Sequence, residues 1–279
     1  MSRRRDRGAI ARAFARCRKE GRAAFVPYVC AGDPDLDTTR RLLRALVAAG
    51  ADVIELGVPF SDPIADGPTV QKAATRALAA GTTLAKVLSL VADERPSLGV
   101  PIVLFSYFNP IHRRGVDAFA EQAAASGVDG VLCVDLPPEE AEEATVPALS
   151  RHDIDPIFLL APTSTGRRIK SVARASKGFV YYVSRTGVTG ERAALPAELE
   201  GELKRLRKRV KQPVAVGFGI STPEQVAEVA AMADGVVVGS ALVRAIEESL
   251  GRDDLVERVA ARAEELASPL RRSRDAEEG

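Results

Sequence analysis

Ala49-Gly50-Ala51-Asp52-Val53-Ile54 ends a helix-like stretch and opens a strand-like one, and the chain uses the same device three times. Ser126-Gly127-Val128-Asp129-Gly130-Val131 and Met232-Ala233-Asp234-Gly235-Val236-Val237 repeat its order: helix end, Gly or Ala turn, aspartate, β-branched strand. A recurring junction means that one supersecondary unit is reused. Outward from these junctions, runs rich in β-branched or aromatic residues fall at 24–30, 52–56, 101–106, 130–134, 155–160, 178–183, 213–216 and 235–238, eight in all. Stretches rich in Ala, Leu, Arg and Glu separate them, at 37–49, 84–94, 116–126, 139–150, 197–208 and 223–232. Such alternation predicts βαβ units and a parallel sheet, and near-continuous apolar strands are expected when a parallel sheet is covered on both faces. Eight units in about 250 residues predict a closed (β/α)8, or TIM, barrel. An open doubly wound sheet is the alternative. It is weakened because Ala31-Gly32-Asp33-Pro34, and no GxGxxG turn, follows the first strand.

Composition narrows the class further. Hydrophobic residues make up 46% of the 279, ample for a core, and Lys+Arg 39 against Asp+Glu 38 leaves a formal charge of +1. That balance gives no reason to expect a nucleic acid partner. Cys17, Cys30 and Cys133 are odd in number and widely spaced, which fits reduced thiols in a cytoplasmic protein better than disulfides or a zinc site. No apolar run approaches the ~20 residues of a membrane span. Residues 1–7 carry four arginines, as a transit peptide would or as a disordered basic end would. In 8–19, Ile10, Phe14 and Cys17 recur at helical spacing, which predicts an extra amphipathic helix before the first strand. The polar residues 268–279 are expected to form a disordered tail, leaving 8–267 as one barrel domain.

The first junction runs on into Ile54-Glu55-Leu56-Gly57-Val58-Pro59-Phe60-Ser61-Asp62-Pro63-Ile64-Ala65-Asp66-Gly67-Pro68. Glu55 interrupts an apolar strand, and a Pro- and Gly-rich loop carrying two aspartates follows it. An ionised carboxylate in apolar surroundings is costly unless it is paired or its pKa rises. Glu55 is therefore either half of a buried ion pair or an acid/base group at a strand end.

In a barrel, the C-terminal strand ends carry the chemistry, and phosphate often binds near the loops after strands seven and eight. The seventh run ends in Gly217-Phe218-Gly219-Ile220-Ser221 and the eighth in Gly239-Ser240, where a helix start adds a favourable dipole. Ser184-Arg185-Thr186-Gly187-Val188-Thr189-Gly190 follows the sixth. These three loops point to a phosphorylated small molecule. His112, in a loop after Asn109-Pro110, and His152, at a helix end, form no HxH or HExxH arrangement, so a His-based metal site is not expected. The lysines fall in helices or, like Lys177, before a strand, which disfavours a Schiff-base aldolase. What remains is carboxylate chemistry on a phosphorylated substrate.

From about Ala24 to Leu266 the chain resembles the tryptophan synthase alpha subunit family. The resemblance rests on Val26-Pro27-Tyr28 with Ala31-Gly32-Asp33-Pro34, residues 55–68, 107–110, 131–137 and 184–190, and on Gly217–Ser221 and Gly239-Ser240. It implies retro-aldol cleavage of indole-3-glycerol phosphate to indole and glyceraldehyde 3-phosphate, in a barrel with an extra N-terminal helix and a short extra helix at the eighth strand. In that family Glu55 matches the acid/base glutamate and Asp66 the aspartate that accepts from the indole N–H. Tyr181 matches a tyrosine near the substrate hydroxyls. Tyr28, Phe105, Leu132 and Phe218 would wall the indole, and Thr189 would order with the Asp66 loop. Gly190, Gly219, Gly239 and Ser240 would hold the phosphate. Arg185 would stay near its loop base.

The resemblance also implies a partner. The family works as an αββα heterotetramer whose beta subunit uses pyridoxal phosphate, with no cofactor or metal in the alpha chain. Residues 59–64, 109–114 and Pro137-Pro138 match the loops that face the beta subunit, with Asp62 an interface or loop-anchoring charge. A stand-alone indole-3-glycerol phosphate lyase and a catalytically silent activator of a beta subunit are the alternatives. Cys30 and Phe179 depart from the residues common in relatives, and are expected to tune affinity by packing.

Overall fold

The computed structural model describes residues 8–183, 198–217 and 219–271. Among the described residues nine parallel strands run: β1 (Ala24–Cys30), β2 (Ile54–Gly57), β3 (Ile102–Ser106), β4 (Gly130–Cys133), β5 (Asp155–Ile157), β6 (Leu159–Leu160), β7 (Val180–Val183), β8 (Val214–Gly217) and β9 (Gly235–Val238). Their order in the sheet is β5-β4-β3-β2-β1-β9-β8-β7-β6. The two ends of that order are consecutive in sequence. β5 pairs with β4 through Gly130↔Asp155 and Leu132↔Ile157, β6 pairs with β7 through Leu159↔Tyr181, and the Tyr181 N–H donates to the Phe158 carbonyl at 3.1 Å. The expected strand at 155–160 is thus one stave in two halves. The sheet closes through Phe158 into an eight-staved barrel, as the eight runs predict.

The repeated aspartates explain the repeated junctions. Asp52, Asp129 and Asp234 each donate a backbone N–H to, and accept through the carboxylate from, the start of the neighbouring strand. The partners are Phe25 (carboxylate contact 3.0 Å), Ile102 (2.9 Å) and Val214 (2.8 Å). An arginine completes each clamp: Arg22 on Asp52 at 2.6 Å, Arg95 on Asp129 at 3.4 Å and Arg207 on Asp234 at 3.1 Å. One carboxylate therefore satisfies a strand-end donor and pins β2 to β1, β4 to β3 and β9 to β8.

Strand alternation divides the apolar residues into two layers. Val29, Ile54, Leu56, Leu104, Val180, Val216 and Val236 face the helices. Val26, Tyr28, Cys30, Val53, Val103, Phe105, Leu132, Tyr181, Ala215 and Val237 face the barrel axis. Glu55, between Ile54 and Leu56, shares the inward face. The expected N-terminal helix is present as α1 (Ala9–Lys19), and it buries Ile10, Phe14 and Cys17. It closes the barrel floor. A Cβ on Gly130 would lie 2.7 Å from Ile10 Cδ1, and one on Gly235 would lie 2.8 Å from Phe14 Cε1. Phe179 stacks on Phe14 with ring centroids 5.4 Å apart, so its departure from relatives lies at the floor.

The remaining helices are α2 (Leu36–Ala48), α3 (Pro68–Ala79), α4 (Leu84–Leu98), α5 (Phe108–Arg114), α6 (Val116–Ala125), α7 (Pro138–Ala141), α8 (Thr145–Arg151), α9 (Gly166–Ala175), α10 (Leu199–Arg207), α11 (Pro223–Ala230), α12 (Ser240–Glu248) and α13 (Leu255–Ala267). α12 is the short extra helix expected at the eighth strand of the barrel, here β9. Three sequence expectations are corrected. His112 lies in α5, because Pro110 stands in the first turn, where its missing N–H costs nothing; the side chain is exposed as expected. The stretch 139–150 is two short helices, α7 and α8, rather than one. The tail expected from 268 begins with a 3-10 turn, Ser268–Leu270, that buries Leu270, and Arg271 Nη2 donates to the Ala49 carbonyl at 2.8 Å. Residues 1–7 and 272–279 lie outside the described residues. No described helix is long and apolar enough to cross a membrane.

The clamp yields a stability prediction. Asp129→Ala strands the Ile102 N–H and removes the partner of Arg95, and should cost about 1–3 kcal/mol. Urea unfolding checks this, and adding Asp234→Ala should give a nearly additive loss, since the two clamps share no partner.

Candidate active site

One cavity opens at the C-terminal ends of the strands. Tyr28, Glu55, Asp66, Val70, Phe105, Tyr181, Gly219, Val237, Gly239 and Ser240 line it. Eight residues singled out in the sequence are brought together there: Tyr28, Glu55, Asp66, Phe105, Tyr181, Gly219, Gly239 and Ser240. Leu132 is fully buried on the inner wall but does not line the cavity. Thr189, Gly190 and Phe218, with Arg185, lie outside the described residues. Cys30 is buried one inward position above Tyr28 and is not part of the lining.

Glu55 is 1% exposed, and its Oε1 has no hydrogen-bond partner among the described residues. Burial, with Asp66 adding like charge, pushes its pKa up to about 8. The bland alternative, a buried ion pair, finds no support here: among the described residues no salt bridge to Glu55 exists. Asp66 is raised less, to about 6, because burial is partly offset by a hydrogen bond from Tyr107. Near pH 7 one carboxyl is therefore protonated and the other ionised. Two carboxyls held in opposite states can donate and accept within one site.

The Asp66 loop is held in several places. Tyr107, just after β3, accepts from the Ala65 N–H at 3.0 Å and stacks on Phe60 with centroids 5.0 Å apart. Gln71 Nε2, in the first turns of α3, donates to the Asp66 carbonyl at 2.9 Å and to the Pro63 carbonyl at 3.2 Å. Among the described residues the Asp62 carboxylate accepts from its neighbour Ser61, and the Asp62 carbonyl accepts from the Ile64 N–H at 2.9 Å; the residue is exposed. Tyr107, Gln71, Val70 and Val237 were missed as site residues. The pattern marks Val237 as strand, but in an all-apolar run such as β9 nothing reveals the inward face. Tyr107 had a signal, a hydroxyl placed directly after a strand's C-terminal end.

At the opposite rim, Gly239 caps α12 and Ser240 begins it. Gly239 O accepts from the Leu242 and Val243 N–H groups, so the N–H groups of Ser240 and Ala241 precede the first intrahelical bond. With the helix dipole behind them, they suit an anion. Gly219 stands beside them with φ +79°, a left-handed turn that glycine adopts without strain. The supporting scaffold is ionic. Asp33, fully buried, pairs with Arg76 of α3 through contacts of 2.7 and 2.9 Å, and Lys72 of α3 reaches Glu247 of α12 at 3.0 Å. Among the described residues no three His, Cys, Asp or Glu side chains are grouped to hold a metal ion.

The hydrogen bond to Asp66 can be tested directly. Tyr107→Phe removes the donor that favours the ionised form, so the Asp66 pKa should rise from about 6. A carboxyl-carbon NMR titration checks this, and an unchanged or lower midpoint would count against the contact.

A family profile described as "Tryptophan synthase alpha chain" matches residues 14–273. The tryptophan synthase alpha chain of Geobacter sulfurreducens is 55% identical over 248 residues, covering 88% of this chain and 94% of its own. That of Opitutus terrae is 48% identical over 261 residues, covering 94% and 97%. Among solved structures, tryptophan synthase from Mycobacterium tuberculosis aligns with a TM-score of 0.87 at 39% identity, covering 95% of this chain and 99% of that one. Tryptophan synthase subunit alpha from Legionella pneumophila aligns with a TM-score of 0.87 at 36% identity, covering 95% and 99%.

Proposed function

The chain belongs to the tryptophan synthase alpha chain family and is a lyase that cleaves indole-3-glycerol phosphate to indole and glyceraldehyde 3-phosphate; we propose that Glu55, Asp66 and Tyr181 carry that step. The observation that supports this assignment is the pair of buried carboxyls lining one cavity: Glu55, with an Oε1 that has no hydrogen-bond partner among the described residues, and Asp66, which burial pushes up to about 8 and about 6.

An indole carbanion is a poor leaving group, so the ring must first become an electron sink. Protonated Glu55 gives its proton to indole C3, which places positive charge on the ring nitrogen. Ionised Asp66 accepts from that N–H and stabilises the cation. Glu55, now a carboxylate, takes the proton from the hydroxyl on the carbon attached to C3. That carbon becomes the aldehyde, the C–C bond breaks, and its electron pair returns to the ring as neutral indole. The net change moves one proton from oxygen to carbon and leaves Glu55 protonated again. Positioned acid/base catalysis contributes roughly 10²–10⁴-fold, and stabilising the developing cation adds to it. Tyr181 stands inward on β7 to orient the glycerol hydroxyls, and Tyr28 and Phe105 wall the indole. Gly219, Gly239 and Ser240, with Gly190, hold the phosphate through main-chain N–H groups. The family resemblance would have Thr189 order with the Asp66 loop and Phe218 add to the apolar wall, while Leu132 packs on the inner wall outside the cavity lining.

The chain acts with a beta subunit in an αββα heterotetramer, and the product indole passes to that partner for tryptophan synthesis. Ile64, 82% exposed on the loop after β2, supports 59–64 as a partner-facing segment, together with 109–114 and Pro137-Pro138. Pyridoxal phosphate belongs to the beta partner and this chain works without a cofactor. Three buried free cysteines fit a cytoplasmic location. Glu55 and Asp66 weigh against a silent activator. Indole release, measured with and without a co-purifying beta subunit, separates the partnered enzyme from a stand-alone lyase.

Two outcomes test the acid/base assignment. The pH dependence of kcat/KM should be bell-shaped, rising as Asp66 ionises near about 6 and falling as Glu55 loses its proton near about 8. A profile flat across that window would refute the assigned protonation states. Glu55→Gln should abolish turnover and keep the fold. It should also raise stability at alkaline pH. The folded pKa of about 8 lies above the ordinary carboxyl value of 4.5, so the unfolded chain ionises first and native stability falls as pH rises through that interval. Thermal melts at pH 5 and pH 9 would show a clearly larger advantage of the variant at the higher pH.

A further inference from the structure

Gly57 ends β2 two residues beyond Glu55, on the same inward face. Its φ lies outside the left-handed region, so backbone freedom does not explain the residue. Space does. A Cβ there would lie 2.3 Å from the Tyr28 hydroxyl oxygen, 2.7 Å from Cζ and 2.9 Å from Cε2. Tyr28 stands opposite Glu55 in the β1–β2 register, so its ring runs beside the Glu55 side chain and ends over Gly57. The other edge of the ring faces Gly239, where a Cβ would meet Tyr28 Cδ1 at 3.4 Å. Phe105 meets the ring nearly edge-on, with centroids 5.4 Å apart and an interplanar angle of 74°. The tyrosine is therefore gripped between the strand that bears the acid and the loop that begins the phosphate helix.

We propose that Gly57 and Tyr28 form a positioning pair for the acid/base group. The glycine seats the tyrosine ring as the wall that keeps water from one side of the Glu55 carboxyl, and the ring sets the spacing between that carboxyl and Gly239. The proposal rests on Glu55 as the proton carrier. Among the described residues, the titratable groups facing Glu55 are Asp66 on the loop after β2, Tyr28 on β1 and Tyr181 on β7. Both tyrosines stay neutral, since burial raises them well above their ordinary value. Apart from burial, the Asp66 charge is thus what acts on Glu55, and the ring at position 28 supplies a share of that burial.

The test is the pH profile of indole-3-glycerol phosphate cleavage by the chain with its beta partner, each variant first shown to be folded by circular dichroism. Gly57→Ala should lower kcat/KM at least tenfold by pushing the ring off its seat. Tyr28→Leu should move the alkaline limb down by about one pH unit or more as water reaches Glu55, whereas Tyr28→Phe, which keeps the ring, should leave that limb in place. The double variant Gly57→Ala, Tyr28→Leu should lose less than the product of the two single losses, because leucine lacks the overlapping atoms. Multiplicative losses, or an alkaline limb that is unmoved by leucine or moved as far by phenylalanine, would overturn the pair. Glu55→Gln is assayed alongside. Residual turnover there would remove the Glu55 assignment itself, a failure separate from that of the pair.

Discussion

Closing eight staves into a ring forces every second strand residue into a tube just wide enough for side chains, and the rest of the molecule follows from how that tube is filled. At the floor it is filled twice over, by the strands and by α1, whose Ile10 and Phe14 enter where Gly130 and Gly235 leave room. Further up, large side chains alternate with none. Tyr28 lies over Gly57, and Tyr181 lies over Gly217, where a Cβ would sit 2.2 Å from the hydroxyl oxygen. Those aromatic rings lean across bare backbone and leave a cavity above them. The site is thus the upper end of the same packing problem that the floor solves with an added helix.

Charge follows the same division. Where the fold buries a carboxylate for structure it supplies arginine: Arg76 for Asp33, Arg16 and Arg22 for Asp52, Arg40 and Arg44 for Glu94. Glu55 and Asp66 have no such partner among the described residues, and their pKa values rise accordingly. Asp155, at the floor beside α1, also has no salt bridge among the described residues and is raised to about 6 by burial, with Lys177 pulling the other way. An unpaired buried acid is therefore not by itself a catalyst. What distinguishes Glu55 is its place at the top of a strand, in a cavity, beside a second acid of lower pKa.

Much of this was legible in the sequence for a physical reason. The repeated junctions, a Gly or Ala turn and then an aspartate, could be read because each aspartate does the same job, capping a strand start, and a repeated job leaves a repeated residue. Glu55 could be read because a carboxylate in an apolar run is expensive. The break at Phe158 and the split of 139–150 into α7 and α8 were not legible, since neither changes the hydrophobic pattern that a closed barrel requires. α5 was hidden by Pro110, which marks a turn as readily as a helix's first turn. Tyr107 and Gln71 act across the fold on the loop bearing Asp66, and such contacts leave no local spacing. Leu132 shows the converse: an inward position was identified correctly, yet being inward does not decide whether a residue reaches the cavity or lies beneath it.

The floor of the barrel has a consequence in time. α1 comes first in the chain, yet the gaps that receive it are made by Gly130 of β4 and Gly235 of β9, and its ring partner Phe179 immediately precedes β7. On a ribosome the apolar face of Ile10, Phe14 and Cys17 emerges before the strands that cover it. It must wait for more than two hundred residues of synthesis before its last contact is available. Contacts so distant in sequence are slow to form. A segment made early is thus covered late, and during that interval its exposed apolar face is a liability of the growing chain rather than of the finished enzyme.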